Sequence, residues 1–282
     1  MNSKYLGASA EAIQHHYDVG NDFYALWLDS SRTYSAALWE DDDDLEKAQQ
    51  RKLDHHITEA LATNATRVLD IGCGWGALLN RLVKVHNVER AVGLTLSNAQ
   101  LAHIQSQNHP NIEVRLENWS DYVPEAPIDA IISIGAFEHF ATPKLSAEEK
   151  LAHYRHFFQC CHKWLKPKGR LSLQSIIYEN ADVEDLSAFI TNEIFPDSNV
   201  PHLSEIIKAA ERQFEVVRLR NDRDHYTRTL RAWLKNLKAH RKEAIDLVGA
   251  DEVKKYEKYL SISMMAFHSA SSNLSRITFQ KL

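Results

Sequence analysis

The chain has 282 residues, enough for one large α/β domain or a domain with a substantial insertion. It is 44% hydrophobic and 25% charged, an ordinary globular composition, and no apolar run approaches the ~20 residues of a membrane span. The formal net charge of -5 provides no field that would draw it to nucleic acid or to an acidic membrane.

Residues 1–62 read as amphipathic helices broken near Asp29–Ser35, with aromatics at Tyr17, Phe23, Tyr24 and Trp27. This block precedes the first strand, so it is expected to cover the ligand and exclude water. The acidic run Asp41–Asp44 reads as a solvated loop leading into a helix over Leu45–Leu61, with its acids favourable near that helix start. Strand–helix alternation follows. Arg67–Ile71, Ala91–Leu94, Ile112–Leu116, Ala130–Ile134 and Arg170–Ile177 are predicted strands. Ala77–Val85, the stretch from the N-cap Ser97 to Gln107, and Ser146–Leu165 are predicted helices, the last stopped by Lys166-Pro-Lys-Gly169. This rhythm predicts a doubly wound parallel sheet. Beyond Tyr178 the pattern turns helical over Glu184–Ile194, Glu205–Arg212 and a long basic stretch, Tyr226–Leu260. Phe214–Arg220 and Ser275–Lys281 complete the strands. The expected division is a cover (1–62), a core (63–178), a helical insertion (179–270) and a final strand (271–282), all in one domain.

Cys73, Cys160 and Cys161 form neither a disulfide framework nor a zinc spacing, which fits a cytoplasmic protein. The N-terminus lacks the basic-then-apolar layout of a signal peptide. The fifteen histidines are scattered, and the adjacent pairs His15-His16 and His55-His56 cannot share a helix face, so no metal site is expected.

The ligand of an open parallel sheet lies beyond the carboxyl ends of its strands. The first such end reads Val-Leu-Asp-Ile-Gly-Cys-Gly-Trp-Gly over 68–76, with Gly72, Gly74 and Gly76 in a strand-to-helix turn. The third glycine comes one residue too early for a dinucleotide fingerprint. The pattern instead resembles the nucleoside-binding loop of S-adenosylmethionine (SAM) methyltransferases. The second end is Gly93-Leu94-Thr95-Leu96-Ser97, where Thr95 and Gln100 stand in for the usual acidic residue on the ribose hydroxyls. The third is Glu117-Asn118-Trp119-Ser120, where an exposed aromatic can lie against an adenine ring. Glu138 and His139 follow an apolar strand at a site expected to face the ligand.

His16-Tyr17-Asp18-Val19, Phe23-Tyr24, Arg32-Thr33-Tyr34-Ser35, the glycine loop, Ile132–Phe140, Phe189–Pro196 and His225–Trp233 together resemble the cyclopropane fatty acid and mycolic acid cyclopropane synthases over essentially the whole chain. The resemblance implies a SAM-methyltransferase fold and transfer of a methyl group to a cis alkene of an unsaturated lipid or carrier-bound acyl chain. A carbocation follows and ends as a cyclopropane ring or a methyl branch. It implies that Tyr34, Ser35, Gly72, Gly74, Thr95, Leu96, Gln100, Trp119, Ser120 and Ile134 hold SAM. Tyr17 and Tyr226 are expected to face the cation. A bicarbonate ion is expected as the base, held by Glu138, Tyr226 and Gln174 near His139. Where the family often has Tyr-Ser-Cys, this chain reads Tyr34-Ser35-Ala36, so the thiol is missing. The basic stretch Arg231–Lys258 reads as a solvated helix pair or a docking face for an acidic acyl carrier protein. Two other readings stay open here: a methyltransferase for a small diffusible metabolite, and a SAM-binding protein without catalysis.

Overall fold

The computed structural model describes residues 20–181, 194 and 198–282. Tyr17 and the expected helix over Glu184–Ile194, apart from the buried Ile194, lie outside that set. Seven strands form one sheet: β1 (Arg67–Ile71), β2 (Arg90–Thr95), β3 (Ile112–Leu116), β4 (Ile128–Ile134), β5 (Leu165–Tyr178), β6 (Phe214–Asn221) and β7 (Ser272–Lys281). Their order is β3-β2-β1-β4-β5-β7-β6. The first five are parallel, and β7 runs antiparallel between β5 and β6. The order reverses between β1 and β4, which opens a crevice at their carboxyl ends. Val68, Leu69 and Ile71 are buried, as are Ala130, Ile131 and Ile132. Such continuous apolar runs suit strands covered on both faces.

One face packs under α5 (Ala147–Trp164) and α6 (Leu203–Ala210), around Phe137, Tyr154, Phe157 and Phe158. The other packs under α2 (Leu45–Glu59), α3 (Ala77–Lys84) and α4 (Asn98–Ser106), around Leu53, Ile57, Leu79 and Leu82. Local signals set several boundaries. Asp44 caps α2 through Lys47 N at 2.8 Å, Ser97 caps α4 through Gln100 N at 3.3 Å, and Ser146 with Glu149 forms a capping box on α5.

A third cluster sits over the carboxyl end of the sheet. It joins α1 (Asn21–Ala25) to α7 (Arg223–Ala239), α8 (Arg241–Val248) and α9 (Ala250–His268). Tyr24, Trp27, Tyr34, Trp75 and Trp233 meet there, with Tyr24 and Trp75 ring centroids 5.1 Å apart. Trp75 belongs to the glycine loop, and its indole N–H donates to Asn21 Oδ1 at 2.7 Å. The cover is therefore fastened directly to the loop beneath it.

Three expectations need correction. The helix expected over Tyr226–Leu260 is three helices, because Gly249 takes a φ of +86° and His240 leaves helical geometry between α7 and α8. The segment Lys166–Gly169 does not separate α5 from its strand. Ile128 pairs with Leu165 and Ala130 with Arg170, so those four residues bulge out of β5. Residues 26–44 hold no helix in place of the single break expected near 29–35. Side chains fix that stretch: Asp29 accepts from Thr33 N at 2.8 Å, and Gln49 Nε2 donates to Ser35 O at 2.9 Å.

Candidate active site

A cavity opens where the sheet order reverses. It is lined by the Gly72–Trp75 loop, Leu94–Leu96 with Gln100, Glu117–Trp119, Ile134–Ala136, His139 and Arg32–Ser35. Gly72 has a φ of +83°, and an added Cβ would lie 2.5 Å from the Ala136 Cβ. Any side chain there forces β1 and β4 apart. Gly74, at a φ of +53°, has nothing within 4 Å of the Cβ position, so the backbone lies open to a ligand. Thr95 Oγ1 donates to Gln100 Oε1 at 2.6 Å and accepts from Ser97 N at 3.1 Å. That pairing holds the Gln100 carboxamide at the end of β2.

Nine of the ten expected cofactor residues line this cavity, and Ser120 does not. Its backbone N–H instead donates to Asn118 Oδ1 at 3.0 Å. Trp119 corrects an expectation. It is buried rather than exposed, with its ring 5.1 Å from Phe140 and 5.5 Å from Phe157 by centroids, so it joins the core and the cavity wall at once. His139 lines the same cavity and pairs with Ser198 Oγ at 2.7 Å. Burial holds its imidazole down to a pKa of about 4, so it is neutral at pH 7.

Glu138, Gln174 and Tyr226 lie outside that lining but are linked to one another through β5 and β7. Glu138 Oε1 accepts from Ile176 N at 2.6 Å, while its Oε2 is buried with no hydrogen-bond partner among the described residues. Burial raises this carboxyl to about 7 against the backbone donors that oppose the shift. Gln174 Oε1 accepts from Arg276 Nε at 2.9 Å and meets His56 Nε2 at 3.3 Å. The same guanidinium donates to Ala36 O and Ala37 O at 3.1 and 3.0 Å and is ion-paired with Asp222. Tyr226 N–H donates to Asp222 O at the start of α7, and the Tyr226 ring stands 4.4 Å from that of Phe267.

Two cavity residues escaped the sequence reading as site groups. Asp70 and Lys52 both line it and are both buried. Burial lifts Asp70 to about 7 and depresses Lys52 to about 7, each moderated by the other's opposite charge. A signal for Lys52 was present. Gln49, Lys52 and His56 recur at helical spacing on the stripe that also buries Leu53 and Ile57, which puts polar groups where a core helix needs apolar ones.

The open backbone at Gly74, an acidic and a basic group on one wall, and aromatic surface at Trp119 suit an amino acid joined to a nucleoside, which is the build of SAM. A seven-stranded sheet with one antiparallel strand inserted next to its edge, and with that cavity at its switch point, defines a SAM-dependent methyltransferase. Residues 5–277 match the family described as mycolic acid cyclopropane synthetase. Cyclopropane mycolic acid synthase 2 of Mycobacterium leprae is 35% identical, over 99% of this chain and 96% of its own. The solved cyclopropane synthase MmaA2 from Mycobacterium tuberculosis superposes with a TM-score of 0.88 at 33% identity, over 98% of this chain and 99% of its own. Mycolic acid cyclopropane synthase CmaA1, solved with S-adenosylhomocysteine (SAH), gives 0.87 at 32% identity over 98% and 99%. A coclaurine N-methyltransferase at 20% identity shares the fold. The chain belongs to the mycolic acid cyclopropane synthetase family and is a SAM-dependent methyltransferase of the cyclopropane synthase type.

Proposed function

We propose that the enzyme methylates a carbon–carbon double bond of an unsaturated acyl chain and ends the reaction by removing a proton. The observation that carries this reading is the buried carboxyl of Glu138, with one oxygen unpartnered among the described residues, beside a family match spanning nearly the whole chain. SAM, when bound, supplies a methyl group with cationic character. Tyr34, Ser35, the 72–74 loop, Thr95, Leu96, Gln100, Trp119 and Ile134 hold it. An alkene is a weak nucleophile, so these residues act chiefly by positioning. The aromatic cover keeps water from the positive carbon left on the chain, and the Tyr226 ring stabilises that carbon by ~0.5–2 kcal/mol.

Bicarbonate has only part of the partner set that the resemblance implies. Glu138 Oε2 has no partner among the described residues, but position 36 carries no thiol, so one expected contact is missing. The Glu138 carboxylate itself is therefore assigned as proton acceptor, and a pKa near 7 suits that work. We place the enzyme in the cytoplasm. Among the described residues no helix is long and apolar enough to cross a membrane. Arg231, Lys235 and Lys238, exposed along α7, are the proposed face for an acidic acyl carrier protein.

The test is incubation of the full chain with SAM and either unsaturated phospholipid vesicles or carrier-bound unsaturated acyl chains, read by mass spectrometry. A gain of one CH2 on the acyl chain is expected. Catalytic hydrogenation of the product then separates a ring from a methylated alkene. No gain on any acyl substrate, with turnover on a polar metabolite, refutes the proposal.

A further inference from the structure

We propose that Lys52 is the counter-charge for the carboxylate of the methionine end of SAM. The inference rests on the assignment of the cavity to SAM. Lys52 lies on the inner face of α2 and is 0% exposed, yet its side chain reaches the cavity wall. Its Nζ donates to Ser35 Oγ at 2.8 Å, a neutral hydroxyl. Among the described residues no carboxylate lies within ion-pair distance of it, and its other two protons have no protein acceptor. A buried ammonium in that condition is costly unless something else completes its shell.

The neighbouring charges leave the ligand as the partner. Asp29 is close enough to act on Lys52 through space, but its oxygens already accept from Thr33 N, Ser31 N and Ser31 Oγ. Arg276 carries the same sign as Lys52 and is committed to Asp222, Gln174 and two backbone carbonyls. Asp70 is the remaining opposite charge, and it lines the same cavity with no hydrogen bond from the described residues to its carboxylate. One wall thus presents a cation and an anion that are not paired with each other. An α-amino acid carries the complementary pair, so Lys52 with Ser35 takes the carboxylate and Asp70 takes the ammonium. The raised Asp70 carboxyl and the depressed Lys52 ammonium return toward their ordinary values when those partners arrive.

The experiment is calorimetric binding to the full chain, freed of cofactor, using SAH and its decarboxylated analogue, which keeps the amine and lacks the carboxylate. Wild type is expected to prefer SAH by roughly 10- to 100-fold, the range for a hydrogen bond to a charged group. Lys52→Met and Lys52→Gln should lose that preference, weakening on SAH and changing less than about threefold on the analogue. Equal binding of the two ligands by wild type overturns the proposal without any variant being needed. Variants that weaken both ligands alike make Lys52 a structural residue and overturn it too. Wild type that binds neither ligand overturns the SAM assignment itself, a result distinct from binding without discrimination.

Discussion

Glu138→Gln keeps the shape of the side chain and the oxygen that accepts from Ile176 N, and removes only the charge. Burial moves this carboxyl from 4.5 to about 7. Between those two values the folded protein holds a proton that the unfolded chain has released. Stability therefore falls as pH rises through that window, and the full penalty is present above about 7. The shift corresponds to roughly 3 kcal/mol. Glutamine escapes it, although its amide hydrogens inherit the unpartnered position of Oε2 and subtract a pH-independent 1–3 kcal/mol, roughly. The quantity to compare is thus the change in the variant's relative stability with pH, to which the other titrating groups contribute equally in both proteins. Urea unfolding at about pH 5 and about pH 8 should show the variant gaining ~2–3 kcal/mol on wild type between them. Methylation of an acyl substrate should fall at least about 100-fold, the ordinary size of a general-base contribution. A stability offset independent of pH refutes the assignment of a raised carboxyl at this position. Full activity in the variant refutes its role as proton acceptor.

In wild type, the rate of product formation should decline as pH drops below about 7, because a protonated Glu138 cannot accept the proton; a flat profile down to about pH 5 removes it from that role. Arg276→Met leaves Asp222 with Arg220 but strips the donors from Gln174 Oε1, Ala36 O and Ala37 O, and should cost roughly 2–4 kcal/mol by urea denaturation. Gly72→Ala should destabilise by ~1–3 kcal/mol, since its methyl meets Ala136 at a positive φ. Gly74→Ala, with no protein atom nearby, should cost about 1 kcal/mol or less in stability while weakening SAH binding measured by calorimetry.

Much of the frame was legible in one dimension. β1 and β3 have the limits that the sequence indicates, one from its apolar residues and the other from apolar–charged alternation, and Ser97 and Ser146 cap helices where hydroxyl residues precede helical spacing. These are local effects: the patterning of apolar residues along a strand, and hydroxyls meeting unpaired N–H groups. The glycine pattern is of the same kind, because positive φ and the lack of a Cβ are properties of the residue itself. The break after Ala239 was not visible, since His240 interrupts no helical pattern, whereas the one after Val248 carried a signal in Gly249 that the expectation of a single helix ignored.

Other features depended on which distant residues the fold brought together. Trp119 at a strand end could have faced solvent, and only the approach of α5 committed it to the core. Gln174 matched a base position by motif, but a guanidinium 102 residues along the chain holds its oxygen. Lys52 lies on the buried stripe of α2, but only the docking of that helix on the sheet brought it to the cavity. Chain order by itself determines where strands, turns and caps fall, because those choices are made within a few residues. The charge state and partners of a buried side chain belong to tertiary structure alone, because desolvation and pairing depend on residues that the chain order leaves far apart.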